Sequence, residues 1–219
     1  MKVGASVCAT SGFNALKFLD QAKSEKITWY SGVPTMHQAI LMRADKNLDL
    51  AKNLNLRFLR SSSASLPPAV FEKLNLVFNC PVIEAYGMTE ATHQMTSNPL
   101  PPQKQKPGFV GIPAGPDVCI MDNDYNIMKN GEEGEVCIKG SNVTVGYENN
   151  PEANKNSFSN GWFRTGDQGY FDDEGYLKIS GRLKEIINKG GEKISPLEVD
   201  NVLMDHPAIE AAVCFGYAD

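Results

Sequence analysis

The sequence predicts an α/β protein, and three observations carry the prediction. Helix and strand patterns alternate through the first hundred residues at the spacing of parallel βαβ units, so this region reads as part of a doubly wound sheet. Asn98-Pro-Leu-Pro-Pro102, followed by Gln, Lys and Pro107, breaks that rhythm and marks a boundary. Beyond it, short β-type runs alternate with Gly, Asn and Asp turns, the pattern of a small antiparallel sheet or β-barrel-like subdomain. The expected divisions are 1–107, doubly wound α/β; 108–181, β-rich; and 182–219, a third texture that starts beyond Gly181.

Each element has its own signal. Asn14 is placed to cap a helix over roughly Ala15 to Lys26 with Leu16, Leu19 and Ala22 on one face, and Ile27-Thr-Trp-Tyr30 reads as a strand. Pro34 opens a helix to Ala44, Leu56 to Ser61 is a strand, and Pro67 and Pro68 start a helix running to about Phe78. Pro81 to Tyr86 is a short buried strand. After the break, Val118 to Met121, Gly134 to Lys139 and Tyr176 to Ser180 are β-type, with a turn at Asp172-Asp-Glu-Gly175 and one short helix at Pro151 to Ser157. Ser195-Pro-Leu-Glu198 is a capping box for a helix to about Asp205, and Ala211 to Phe215 reads as a strand whose sheet is not in the sequence, so the last unit is expected to be incomplete.

Composition narrows the function. With 219 residues and a formal charge of -5, and with no Lys/Arg block, the chain is not suited to nucleic acid or an anionic membrane, and small-molecule chemistry is expected. The five cysteines, Cys8, Cys80, Cys119, Cys137 and Cys214, are odd in number and widely spaced without a Cys-x-x-Cys pair, which predicts reduced, mostly buried thiols in an intracellular protein; a cytoplasmic setting is expected, with a peroxisomal one as the alternative. No apolar run is long enough to span a bilayer, and Met1-Lys2-Val3 is not followed by a signal-peptide core.

The chemistry is expected around Glu84-Ala-Tyr-Gly-Met-Thr-Glu90, at the carboxyl end of a strand, where open α/β sheets bind ligands. Tyr86 can lie against a purine, Gly87 permits a tight turn or close backbone approach, Thr89 can donate to a phosphate oxygen, and Glu90 is a hard ligand for a nucleotide's Mg²⁺. The alternative is a strand, a turn and a capped helix. A helix starting at Thr89 would put Thr89, Glu90 and His93 on one side. Asp167, after the glycine of Gly161-Trp-Phe-Arg-Thr-Gly-Asp167, can accept two hydrogen bonds from a ribose diol or simply occupy a hairpin turn. Arg182 and Lys184 lie where the composition changes, eight and six residues before Gly190 of the Gly190-Gly191 pair, whose backbone could pass close to a ligand; a solvated basic linker is the alternative. His37 is expected to be packed and His206 to be a helix-end residue.

Together, Tyr-Gly-Met-Thr-Glu at 86–90, Thr-Gly-Asp at 165–167 and Gly-Arg-Leu-Lys-Glu-Ile-Ile-Asn-Lys-Gly-Gly at 181–191 resemble the acyl-adenylate-forming superfamily of acyl-CoA synthetases, coumarate-CoA ligases and luciferases over nearly the whole chain. Thr28 to Gln38, Arg60 to Ser65, His93 and Gly190 to Pro196 are similar to the oxalate-CoA ligase branch. The resemblance implies an internal fragment: the end of the adenylating domain, a hinge and the start of a mobile α+β domain. It implies a two-step ligase in which ATP and a carboxylate, preferably a small dicarboxylate such as oxalate, give an acyl adenylate that coenzyme A converts to a thioester. By the same resemblance Ser62, Ser63, Ala64 and Ser65, with Glu84, Ala85 and Tyr86, would line the adenine pocket, Gly87 and Met88 would belong to the same cofactor-binding segment, and Thr89 would touch the α-phosphate. Glu90 would hold Mg²⁺, Asp167 and Arg182 the ribose, and Ser63 and His93 the second carboxylate. Lys184 would be the hinge, and Gly190 and Gly191 would border the pantetheine channel. The family's phosphate loop and late catalytic lysine are not in this sequence, which implies an inactive chain by itself and leaves a non-catalytic nucleotide- or partner-binding remnant as the other reading. Asn188 stands where coumarate-CoA ligases carry lysine, and the serine-rich 61–65 segment replaces their glycine, alanine and proline.

Overall fold

The computed structural model describes residues 4–204, 206, 208–209 and 212–217. It forms two compact units, Met1–Ile83 and Glu84–Asp219.

The first unit runs α1 (Phe18–Ser24), β1 (Trp29–Gly32), α2 (Pro34–Ala44), α3 (Leu48–Lys52), β2 (Phe58–Ser61), α4 (Pro68–Phe78) and the start of β3 (Val82–Tyr86). β1 and β2 pair in parallel, Trp29 opposite Phe58 through Gly32 opposite Ser61, as the alternation predicts. Its core is the apolar face of two proline-started helices, Ile40, Leu41 and Ala44 of α2 and Phe71, Leu74, Val77 and Phe78 of α4, packed with Leu59 and Val82. The residues of α4 recur at three- and four-residue spacing, which is why the sequence marks both ends of this helix to within a residue.

The first helix is shorter than expected. Asn14 does not cap it: the Asn14 side chain accepts the Leu16 N–H at 2.9 Å, a local turn that competes with a helical start, and Leu16 is 63% exposed. At its other end Lys26 adopts φ +52°, and the Ile27 and Lys26 N–H groups donate back to Ala22 and Lys23. That left-handed cap consumes the donor of Ile27, so the strand begins at Trp29.

His37 is packed, as its apolar helix predicts. It is fully buried, with Nδ1 2.9 Å from the Tyr30 hydroxyl. Burial pushes its pKa down to about 4, against opposing backbone contacts from Arg60 and Gly32. The folded chain therefore takes up this proton less readily than the unfolded chain, so His37 contributes stability at neutral pH that is lost as pH falls from about 6.5 to about 4. At about 1.4 kcal/mol per pH unit, His37→Gln should flatten the acid limb of urea-unfolding stability over that window by up to about 3 kcal/mol.

The second unit completes β3 and adds β4 (Thr96–Ser97), β5 (Ile112–Pro113), β6 (Asp117–Met121), β7 (Gly134–Lys139), α5 (Pro151–Ser157), β8 (Phe158–Ser159), β9 (Trp162–Phe171), β10 (Leu177–Arg182), β11 (Ile187–Lys189), β12 (Glu192–Ile194) and α6 (Pro196–Met204). β3, β4 and β5 pair antiparallel, and the antiparallel sheet β10-β9-β7-β6 carries β8 on β9. Buried Ile120, Val136 and Leu177 form one cluster and Ala91, Met95, Ile138 and Phe163 another. The proline-rich break is anchored rather than loose. Asn98 donates to the Glu84 carbonyl at 3.2 Å and to the Phe109 carbonyl at 2.5 Å, its side-chain oxygen accepts the Lys106 N–H at 2.9 Å, and Glu84 Oε1 accepts the Gly108 N–H at 2.8 Å.

Asn150 caps α5 through the Ala153 N–H at 3.1 Å. Ser195 accepts the Glu198 N–H at 3.4 Å at the start of α6 and donates to the Ser180 carbonyl. The expected helix end at Asp205 and the first residue of the expected last strand, Ala211, lie outside the described residues. Ala212 to Tyr217 do not form a strand: the Cys214 N–H, which a ladder would use, donates to the Asp200 carboxylate of α6 at 2.6 Å. All five cysteines are free, and Cys80, Cys119 and Cys137 are buried, while Cys8 is exposed and Cys214 half-buried. No described helix is long and apolar enough to cross a membrane.

Candidate functional site

Within the second unit, the site is built on the end of β3 and the middle of β9. β3 stops at Tyr86, and the chain reverses through a single 3-10 turn, Thr89–Ala91. The expected helix beyond Thr89 does not form. Thr92 and His93 turn left-handed, with φ of +52° and +82°, and the His93 N–H returns to the Met88 carbonyl at 3.0 Å. His93 is thus not one helical turn beyond Thr89; it closes a tight loop with an exposed side chain. Gly87 makes that closure possible, because a Cβ there would lie 1.4 Å from the His93 carbonyl oxygen. The Met95 N–H then bonds the Tyr86 carbonyl at 2.9 Å, so the turn is fixed at both ends.

Asp167 is not in a hairpin turn; it lies mid-strand in β9. Val136 of β7 alone faces Thr165, Gly166 and Asp167, because the register shifts there, and Gly166 takes φ +74°. Glu135, a residue with no role in the sequence reading, sets the bulge. Its carboxylate accepts the Gly166 N–H at 3.0 Å and pairs with Arg164 at 2.7 Å, while the Thr165 hydroxyl donates to the Val136 carbonyl at 2.8 Å and accepts the Asp167 N–H at 3.1 Å. A carboxylate aimed at a bulge glycine is a long-range feature, with no signal at the sequence level.

The bulge delivers Asp167 into a buried position, 3% exposed, where it accepts the Tyr86 hydroxyl hydrogen bond. Register does the rest: Arg182 of β10 is directly opposite Asp167, and its Nε lies 3.1 Å from Asp167 Oδ1. Three residues from separate motifs, Tyr86, Asp167 and Arg182, thereby meet. Burial pushes the Asp167 carboxyl above its ordinary range, opposed by the Tyr86 bond and the Arg182 charge. Tyr86 is also shifted upward, by burial first and by Asp167 second.

Glu90 is half-buried and accepts the Tyr147 hydroxyl at Oε1, 2.9 Å away. Thr89 is exposed, the Glu84 side chain is engaged with Gly108, and Ala85 is buried in β3. Among the described residues no group of three or more His, Cys, Asp or Glu could hold a metal ion. Glu90 fits Mg²⁺ as a single carboxylate of the kind used when phosphates and water complete the shell.

Lys184 is exposed in a 3-10 turn, Leu183–Glu185, directly after β10. Gly190 and Gly191, at φ +63° and +93°, are the two-residue turn of the β11–β12 hairpin, in which Lys189 faces Glu192. Neither glycine has an atom within 4 Å of a built Cβ. This hairpin is one that the sequence reading missed, although Gly-Gly between two short runs is its signal. In the first unit, Ser62 is buried and receives an Arg60 hydrogen bond at 2.9 Å, while Ser63, at φ +74°, Ala64 and Ser65 are exposed in the loop after β2.

Residues 1–148 match the family described as AMP-binding enzyme. The chain belongs to that family. As an AMP-binding enzyme chain it is 51% identical to an oxalate–CoA ligase of Saccharomyces cerevisiae, covering 98% of this chain and 39% of the relative. It is 52% identical to an oxalate–CoA ligase of Arabidopsis thaliana, over 99% of this chain and 42% of that relative. It also superimposes on o-succinylbenzoate–CoA synthetase of Bacillus subtilis, solved with its acyl-adenylate intermediate, with a TM-score of 0.83 at 32% identity, over 94% of this chain and 42% of the other. The AMP-binding enzyme chain described here thus spans about two fifths of the length of the relatives it matches.

Proposed function

We propose that this chain is the nucleotide-gripping and hinge part of an ATP-dependent carboxylate–CoA ligase whose acid is a small dicarboxylate, oxalate first. The observation that carries the nucleotide half is Asp167, a buried carboxylate presented from a bulge beside Tyr86 and Arg182. An ionised carboxylate accepts strongly from a ribose diol, Arg182 keeps the ionised form available, and the Tyr86 ring, tethered by its hydroxyl, offers a face to adenine. Thr89, exposed at the turn, donates to the α-phosphate, and Glu90 ligates the Mg²⁺ that neutralises phosphate charge when bound. In the first step a carboxylate oxygen of the acid attacks the α-phosphorus and pyrophosphate leaves. In the second the coenzyme A thiol attacks the acyl carbon and AMP leaves. Lys184, in the turn between β10 and the β11–β12 hairpin, is the hinge between the two steps, and Gly190–Gly191 border the thiol's channel.

The acid assignment follows the chemistry of the relatives' named substrates. Oxalate and o-succinylbenzoate each carry a second carboxylate, which must be met by donors when buried. His93, exposed at the end of the Gly87 turn, is the donor in this reading. The test uses the ligase chain of which these residues form part, with oxalate, a medium-chain fatty acid and a coumarate as substrates. Oxalate should give the highest kcat/KM, and His93→Ala should lower it about a hundredfold, the loss expected when one charge-assisted hydrogen bond goes. Preference for a longer acid, with oxalate turnover unchanged in the variant, would remove the dicarboxylate assignment and leave the ligase reading.

A further inference from the structure

Tyr147 belongs to none of the motifs given a role above, yet it is the one described side chain bonded to the Glu90 carboxylate, donating to Oε1 at 2.9 Å. Its ring is fixed in the cluster of Ala91, Met95, Ile138 and Phe163, with its centroid 6.4 Å from that of Phe163. Its backbone is fixed as well: Asn154 accepts the Tyr147 N–H at 2.6 Å and donates to the Tyr147 carbonyl at 2.9 Å. The segment leading to it straps the Glu90 turn. The Thr144 N–H donates to the Glu90 carbonyl at 2.7 Å, Asn142 Nδ2 to the Ala91 carbonyl at 2.8 Å, and the Thr92 hydroxyl to the Asn142 carbonyl at 2.8 Å.

Glu90 is therefore held by its main chain and by one carboxylate oxygen. A glutamate otherwise spreads over many rotamers, and fixing one oxygen fixes the direction of the other. The donor's chemistry matters too. A phenol orients the carboxylate without neutralising it, whereas a lysine or arginine would cancel the charge a cation needs. From this geometry we infer that Tyr147 is a positioning residue, held by Asn154, that orients the Glu90 carboxylate toward the divalent cation of a bound nucleoside triphosphate.

The inference rests on the reading of Glu90 as a metal ligand, and the experiment separates the two. In the ligase chain, Mn²⁺ affinity is measured by electron paramagnetic resonance with a non-cleavable α,β-methylene ATP, beside metal-free AMP affinity by calorimetry. Tyr147→Phe should weaken Mn²⁺ binding about tenfold, the usual consequence of losing a partner that orients a metal ligand, and leave AMP binding within about twofold. Glu90→Gln should weaken Mn²⁺ more. If Tyr147→Phe leaves Mn²⁺ affinity unchanged while Glu90→Gln lowers it, positioning by Tyr147 is wrong and the metal reading stands. If neither variant changes it, the metal reading fails and takes the inference with it. If Mn²⁺ and AMP affinity fall together in Tyr147→Phe, the hydroxyl serves the fold alone and the inference is overturned.

Discussion

Gly87→Ala should cost about 3 to 5 kcal/mol of folding stability, well beyond what a surface glycine substitution does. The reason is space rather than backbone dihedral. A methyl group at this position meets the His93 carbonyl oxygen at 1.4 Å and the His93 carbonyl carbon at 2.6 Å, and both belong to main chain. That main chain cannot move alone, because the His93 N–H bonds Met88 and the Met95 N–H bonds Tyr86. Relief requires opening the loop that carries Thr89 and Glu90. Gly131→Ala is the control: Gly131 sits at φ +84° with nothing within 4 Å of a built Cβ, so the cost there is the dihedral alone, about 1 to 2 kcal/mol. Urea-unfolding midpoints of the two variants measure the difference. Equal losses would mean that the Gly87 turn yields easily and that its closure is not what holds the site.

Asp167→Asn should weaken AMP binding about a hundredfold while changing stability much less. Two hydrogen bonds from a ribose diol to a carboxylate become bonds to a neutral amide with a single acceptor, and bonds to charged groups are worth about 1.5 to 3 kcal/mol each. The fold tolerates the change because asparagine still accepts from Tyr86, and because Arg182, whose side chain is 52% exposed, returns its charge to water. The pH dependence has a definite sign. Burial raises the folded carboxyl above the ordinary 3.8, so the folded chain holds the proton more tightly than the unfolded one. The Asp167 contribution to stability is therefore fully present below pH 3.8 and is lost as pH rises through the folded value. Stability of the native chain relative to Asp167→Asn should fall with rising pH above 3.8, and calorimetric titration with AMP at neutral pH gives the affinity. An unchanged AMP affinity would remove Asp167 from the nucleotide site.

The sequence by itself determined elements whose local signals agree with one another, while the Gly190–Gly191 hairpin and the start of α1, also locally signalled, were not marked correctly. Proline at the start of α2, α4 and α5, the three- and four-residue apolar spacing of α4, and the Asp172 to Gly175 turn between β9 and β10 are read within one element, because propensity, capping and periodicity act over a few residues. The motif residues Tyr86, Asp167 and Arg182 were legible as types, since a ring, a carboxylate and a guanidinium in that order carry their chemistry in their side chains. Tertiary structure alone decided how they meet. Asp167 faces Arg182 because β9 and β10 pair in one register, and it points at Tyr86 because the carboxylate of Glu135, 31 residues before Gly166, holds a bulge open. The helix expected after Thr89 failed for a similar reason: Gly87 lets the chain fold back onto His93, and that close approach outweighs the i, i+3 pattern of the sequence. Tyr147 stayed invisible because its partner, Glu90, lies 57 residues away, and no periodicity reaches so far. Local interactions set what each segment is; strand register and close backbone contact between distant segments set which side chains share a site.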